Sequence, residues 1–222
     1  MHLFLDANAL FSDWQRAIWL ALADSTQAVH LYHSETVLDE CFRNLIRLGH
    51  LTLEGADIVR QQWQQHPSVS CIHAFDAYFA DVRSVHEKDR HVAAAALKAR
   101  HERKVPELQL LTWNVRDFPR PALKRVGVIR LSPDDFLLQM FKQDAQATQQ
   151  LLDASLALAQ THRHQLQGSL TAYQQRASGF PKSANEWSNF LKRTGFRQLG
   201  NAYAKTIVPP QIEAASHPLH PG

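Results

Sequence analysis

Four acidic residues, Asp6, Glu40, Asp89 and Asp117, stand where a carboxylate can do chemistry rather than merely solvate a surface. Asp6 ends the apolar run Leu3-Phe4-Leu5 and opens the pair Asp6-x-Asn8. Glu40 borders a helix face formed by Val37, Leu38, Cys41 and Leu45. A charge beside a buried face needs partners or a metal ion, because an unpaired buried charge is too costly. Asp89 lies in Lys88-Asp89-Arg90-His91 at the start of an alanine-rich segment, where helix capping would also account for it. Asp117 belongs to Thr112-Trp113-Asn114-Val115-Arg116-Asp117-Phe118-Pro119, directly after the apolar run Leu108–Leu111. The chemistry such a group of acids could serve is phosphodiester hydrolysis. That reaction needs a water nucleophile, neutralised phosphate charge and help for the leaving alkoxide, which a pair of metal ions about 3.5–4 Å apart can provide. Hard cations such as Mg²⁺ and Mn²⁺ prefer carboxylate oxygens, so three or four clustered acids without a Cys or His set are the expected protein contribution.

The elements that must position these acids can be read from periodicity. Leu3–Leu5, Val29–Tyr32, Leu108–Leu111 and Val126–Leu131 have the form of short buried strands, and Ser68–Phe75 reads as strand and loop. Helices are predicted over Leu10–Ala23, from a Ser34 cap to about Leu48 with a stop at Gly49, over Leu53–Gln65, and from Asp89 to about Arg103. Alternation of strands and helices over about 135 residues predicts an α/β fold, a sandwich with a mostly parallel sheet. In such a sheet the carboxyl ends of the strands form the ligand crevice, which is where Asp6, Asn114 and Asp117 fall. Beyond residue 135 the texture changes. A polar-rich helix is expected from Phe136 to about His164, then breaks at Gly168 and Gly179-Phe180-Pro181. A Ser183-x-x-Glu186 capping box opens the next helix, and Phe196–Lys205 forms one more. The division expected is an α/β domain over 1–135, a small helical extension over 136–208 and a disordered tail over 209–222.

Composition narrows the class. The 222 residues are 45% hydrophobic, enough for a substantial core. No apolar window is long enough to span a membrane, and the N-terminal run lacks a basic region and stops at Asp6, so neither a membrane span nor a signal peptide is expected. Two cysteines without metal spacing point to a reduced, cytoplasmic protein. Eight unclustered glycines provide no phosphate-cradling loop, which argues against nucleoside-triphosphate chemistry. Residues 140–222 hold 8 Lys and Arg against 4 Asp and Glu, while residues 1–139 hold 16 against 17. An acidic front and basic rear suit a nucleic-acid enzyme, although charge alone does not require one.

In order and spacing, Asp6-x-Asn8, Glu40 in a helix, Asp89-Arg90-His91 and Thr112-x-Asn114-x-x-Asp117-Phe118-Pro119 resemble the PIN domain nucleases over about residues 1–135. The last motif is similar to that of the VapC-type toxins of bacterial toxin–antitoxin pairs. The rear segment resembles the helical extension of some of them through Trp187, Phe190-Leu191 and Gly195-Phe196. The resemblance implies a PIN-like α/β/α sandwich and a Mg²⁺- or Mn²⁺-dependent endoribonuclease. Structured RNA would be its substrate, cut to leave a 5′-phosphate and a 3′-hydroxyl. Asp6, Glu40, Asp89 and Asp117 would be the metal ligands and catalytic acids, with Asn8, Thr112 and Asn114 orienting them. A cognate antitoxin blocking the acidic groove, and a homodimer, are implied as well. Many PIN domains carry an aspartate where this chain has Asn114, which leaves open whether a second metal is held by protein.

Several residues carry two readings. Asp39 adjoins Glu40, but neighbouring helix positions point about 100° apart, and the family motif aligns on Glu40. Arg90, His91 and Arg116 are candidate phosphate contacts or solvated positions. Trp113 is a core residue or a substrate contact, whereas Trp14, Trp19, Trp63 and Trp187 read as core and the thirteen histidines as nearly all surface. Two rivals remain: an RNA-processing nuclease or DNase without an antitoxin, and a catalytically silent nucleic-acid-binding module on the same fold.

Overall fold

A computed structural model describes residues 1–26, 28–166, 181 and 184–207. Five short strands, β1 (His2–Leu5), β2 (His30–Ser34), β3 (Val69–Ile72), β4 (Leu108–Leu111) and β5 (Val128–Leu131), form one sheet in the order β3-β2-β1-β4-β5. Every pairing is parallel: Leu3 lies opposite Leu31 on one side and Gln109 on the other. The fold is therefore α/β, in the sandwich form expected. From β1 the chain steps outward through β2 and β3, then returns across β1 to place β4 and β5 on the other side. The strand order thus reverses between β1 and β4, and the carboxyl ends of those two strands flank the crevice where such sheets bind ligands.

Helices α1 (Asp13–Ser25), α2 (Glu35–Arg47) and α3 (Leu53–Gln65) join the first three strands, α4 (Arg90–Arg103) joins β3 to β4, and α5 (Arg120–Arg125) joins β4 to β5. Right-handed crossovers assign the outward-stepping helices to one face and the returning ones to the other. Helix α4 packs across β2, β3, β4 and β5, burying Val92 through Leu97. That run of four alanines lets the helix approach the sheet closely while keeping high helical propensity. Leu3, Phe4, Leu5, Leu31, Leu110 and Trp19 are wholly inaccessible at the centre of the core. Ser34 accepts a backbone N–H as the N-cap of α2 and Gly49 ends it with φ +69°, both as read; Ser12 and Thr52 cap α1 and α3 in the same way, so that α1 starts at Asp13 and not at Leu10. No helix among the described residues is long and apolar enough to cross a membrane.

Three expectations need correction. The helix predicted over Phe136–His164 is two, α6 (Pro133–Gln143) and α7 (Ala145–Gln165). They are separated by Asp144, whose extended backbone (φ −151°, ψ 99°) breaks α6 and whose carboxylate caps α7. The short α5 was not anticipated, because six residues after a proline carry no readable period. Among the histidines, His33 departs from the surface reading: it is 1% exposed on β2, with its ring 6.5 Å from that of Trp63.

The chain forms two compact units, Met1–Gly179 and Phe180–Gly222, and α6 and α7 belong to the first, packed on α1. Trp14 donates from its indole to Ser155 Oγ at 2.9 Å, and Asp13 pairs with Arg163, both joining α1 to α7. The second unit contains the helix pair α8 (Ala184–Arg193) and α9 (Arg197–Ile207). Trp187, Leu191, Phe196, Leu199 and Tyr203 are buried in it. Gly200 permits the crossing: a Cβ there would sit 2.9 Å from the Ser188 carbonyl oxygen. Gly168, Gly179, Ser183 of the expected capping box and the expected tail at 209–222 lie outside the described residues.

Candidate active site

Asp6 stands at the reversal point of the sheet, and Asp117, Asp89 and Glu40 are arranged around it. Asp6 leaves β1 directly into a 3-10 turn over Ala7–Ala9, and its Oδ1 accepts the Ala7 N–H at 2.7 Å. Its Oδ2 accepts the Thr112 hydroxyl at 2.7 Å and the Asn8 side-chain amide at 2.8 Å. Thr112 leaves β4, and its backbone N–H continues the ladder to Leu131 at 3.0 Å, so the hydroxyl is held against Asp6 by the sheet itself. Asn8 closes the ring from the other side, its Oδ1 accepting the Trp113 N–H at 2.9 Å. Asn8, Thr112 and Asp6 therefore form one network across the β1–β4 crevice, tying the two strand ends together.

From Thr112 the network extends outward. The Asn114 N–H donates to Thr112 Oγ1 at 3.0 Å, which turns the Asn114 amide toward two further acids. That amide donates to Asp117 Oδ2 at 2.8 Å and approaches Asp89 Oδ2 at 3.4 Å. Asp89 ends a 3-10 turn over Glu87–Asp89 and precedes α4, yet makes no side-chain capping bond. The capping explanation therefore fails for it, and its carboxylate faces the cleft. The His86 N–H donates to the Asp117 carbonyl at 3.3 Å, fastening the loop before α4 to the loop after β4. Phe118, wholly buried, anchors that second loop from below.

Glu40 reaches the cleft from α2, which packs on the Ala7–Ala9 turn. Its Oε2 lies 3.9 Å from His91 Nε2, and it is close enough to Asp6 to raise that group's affinity for a proton. Asp39 points elsewhere, pairing with Arg60 at the surface. Arg90 donates from Nε to the Val85 carbonyl at 3.1 Å, a bond that ties down the start of α4. Arg116 is exposed on the loop between Asn114 and Asp117, and Trp113 is half-buried with its indole N–H 3.3 Å from the Gln15 side-chain oxygen.

The electrostatics mark this as a strained collection of like charges. Burial pushes the Asp6 carboxyl above its ordinary range, against the lowering effect of the Thr112 and Ala7 bonds, and Glu40 adds to the rise. Asp89 is raised too, by burial and then by the neighbouring Asp6 and Asp117. Asp117 is lowered by its bonds from Asn114 and Lys88. Lys88 was not given a role by the sequence, yet its ammonium lies 3.1 Å from Asp117 Oδ2 and 4.0 Å from Asp89 Oδ2. Arg130 was also missed: from β5 it donates to the Val115 carbonyl and steadies the loop that carries Asn114 and Asp117.

Oxygen donors and mutual repulsion fit a hard divalent cation in chemical type and in charge, while the Lys88 ammonium already answers part of that charge at Asp117 and Asp89. Among the described residues, no three Asp, Glu, His or Cys side chains are gathered closely enough to hold such an ion as they stand. Asp6, with three donors on its two oxygens, is the fixed member of the set.

No protein-family model matches the chain, and no solved structure matches it. Among curated proteins, the chain is similar to one from Mycobacterium tuberculosis named "Putative ribonuclease VapC50", with 40% identity over 67 residues. The matched stretch is 30% of this chain and spans 36% of that relative, about a third of its length.

Proposed function

We propose that this protein is a metal-dependent endoribonuclease of the VapC type, acting as the toxin of a toxin–antitoxin pair. The observation that supports the reading is the hydrogen-bonded network of Asn8, Thr112 and Asn114, which links Asp6 to Asp117 and Asp89 across the β1–β4 reversal point while Glu40 acts on Asp6 from α2. The name of the Mycobacterium relative supports it at the level of the family. Structured RNA as substrate, a cognate antitoxin as partner, a cytoplasmic setting and a homodimer belong to the same proposal.

In this reading Asp6, Glu40, Asp89 and Asp117 hold Mg²⁺ or Mn²⁺. The bound ion would supply charge neutralisation on the scissile phosphate and a water nucleophile of lowered pKa. The chain's own part is preorganisation. Thr112, Asn8 and the Ala7 N–H keep the Asp6 carboxylate in one orientation despite the charge around it. Asn114 spans Asp89 and Asp117 as a neutral donor, bringing two carboxylates near one another without adding charge. Exposed Arg116 stands at the rim, where it can meet a phosphate of the incoming strand.

The test is RNA cleavage by purified protein with Mg²⁺ or Mn²⁺ and then with EDTA, beside Asp6→Asn and Asp89→Asn. Cutting that needs metal and drops at least about 100-fold in both variants is expected, since losing a ligand should cost at least as much as losing a group that orients one. Cutting that survives both substitutions sinks the assignment. A folded protein that cuts DNA and no RNA would move the substrate, and one that cuts nothing would favour a silent binding module.

A further inference from the structure

We infer that Lys88 is a built-in counter-cation that takes the place of a second metal ion, so that the acidic cleft accepts one divalent ion per chain. The inference rests on the metal-dependent reading of the cleft and sharpens it. The Lys88 side chain is 63% exposed, yet its ammonium is drawn inward, 3.1 Å from Asp117 Oδ2 and 4.0 Å from Asp89 Oδ2. Asp117 Oδ2 also accepts the Asn114 amide at 2.8 Å. A carboxylate oxygen offers about two lone-pair directions, and here both face donors. The same amide lies 3.4 Å from Asp89 Oδ2, so Asn114 links the two acids that Lys88 neutralises. An aspartate in place of Asn114 would add a negative charge and call for another cation. With the amide, one ammonium serves.

The other side of the cleft differs. There Glu40 faces His91 at 3.9 Å, and His91 Nε2 has no hydrogen-bond partner among the described residues. Among the described residues Lys88 makes its ion pairs with Asp89 and Asp117, and none with Asp6 or Glu40. The unanswered negative charge therefore lies toward Asp6 and Glu40, with Asp89 between the two sides. Paired metal ions stand about 3.5–4 Å apart, a spacing at which a second divalent ion would meet the Lys88 ammonium as a like charge. Lysine suits this part: it is a compact point charge on a flexible stem, able to settle between two carboxylates without fixed geometry.

The experiment is Mn²⁺ titration of the full chain, read by calorimetry and by Mn²⁺ paramagnetic resonance, in wild type, Lys88→Met and Lys88→Arg. Lys88 is exposed, so the variants should fold, and circular dichroism checks that they do. One Mn²⁺ per chain is expected in wild type and Lys88→Arg, and two in Lys88→Met. Two ions in wild type or in Lys88→Arg would overturn the inference, as would a single ion in Lys88→Met. Folded proteins that bind no Mn²⁺ at all would overturn the metal-dependent reading itself, a result distinct from a wrong count.

Discussion

Thr112 is the side chain on which the acids depend. Its hydroxyl donates to Asp6 Oδ2 at 2.7 Å, accepts the Asn114 N–H at 3.0 Å and lies 3.2 Å from the Asn8 amide. Thr112→Val keeps the shape and removes the polarity. It leaves the buried Asp6 carboxylate one donor short, a loss of about 1–3 kcal/mol for an unsatisfied buried group. Since that bond favours the charged form, its removal raises the Asp6 pKa further. The acid limb of the pH–rate profile should then move to higher pH, with cleavage near neutrality falling about 10–100-fold, as for other groups that orient a metal ligand. Thr112→Ser should restore most of both, and a profile that falls in height without moving would count against the linkage to Asp6. The roles of Thr112, Asn8 and Asn114 were legible because polar residues immediately after apolar strands announce a crevice. Lys88 was not legible. Beside Asp89 it reads as a solvated charge, and its partner Asp117 comes near only once β4 lies against β1 and α4 has returned across the sheet.

At the scale of elements, the junction of β2 and α2 decides where Glu40 stands. Ser34 is wholly buried, and its hydroxyl accepts the Val37 N–H at 3.3 Å as the cap of α2. Ser34→Ala should cost about 1 kcal/mol, measured as a lower urea midpoint with an unchanged slope. The neighbouring His33 makes this junction sensitive to acid. Burial holds its imidazole down to about 4 from an ordinary 6.5. Between those values the unfolded chain binds a proton that the folded chain refuses. The contribution is therefore complete above pH 6.5 and is lost as pH falls toward 4. A loss of about 2 kcal/mol by pH 5 follows from 1.36 kcal/mol per pKa unit. Urea denaturation at pH 7.5 and pH 5 should reveal it, and His33→Gln should flatten the dependence. An equally steep decline in that variant would place the acid sensitivity elsewhere. Helix α2 was readable from its Ser34 cap and the acid that follows, and α1 and α3 from apolar residues at helical spacing, whereas their Ser12 and Thr52 caps were not read. The break between α6 and α7 was not, since Leu and Gln continue at helical spacing on both sides. Its signal is Asp144 itself, a residue that caps well and is a weak helix former.

For the molecule as a whole, the change in composition near residue 135 is not where the structure divides. Polarity rises there because α6 and α7 lie outside the central sheet and show solvent a long polar face. Their apolar stripe, Phe136, Leu137, Phe141, Leu151, Leu152 and Leu156, is nevertheless buried. Part of it covers α1, where Trp14 and Ser155 share a buried hydrogen bond and Phe136 meets the Trp19 ring edge-on at 5.9 Å. A chain ending at 139 would uncover Trp14 and its neighbours on α1. Each large apolar side chain so exposed forfeits about 1.5–3 kcal/mol, and two or three of them approach the entire stability of a domain of this size. A chain ending at 179 keeps every one of these contacts. The longer truncation product should therefore unfold cooperatively and the shorter should aggregate, as judged by thermal melting with gel filtration. If instead the chain ending at 139 melted as sharply as the one ending at 179, α7 would be an appendage, as the sequence alone implied. The same pair of truncations separates stability from function. Only the chain ending at 179 removes the basic α8–α9 pair while leaving the acids seated, so any loss of RNA binding in it belongs to residues 180–222 and not to a damaged sheet.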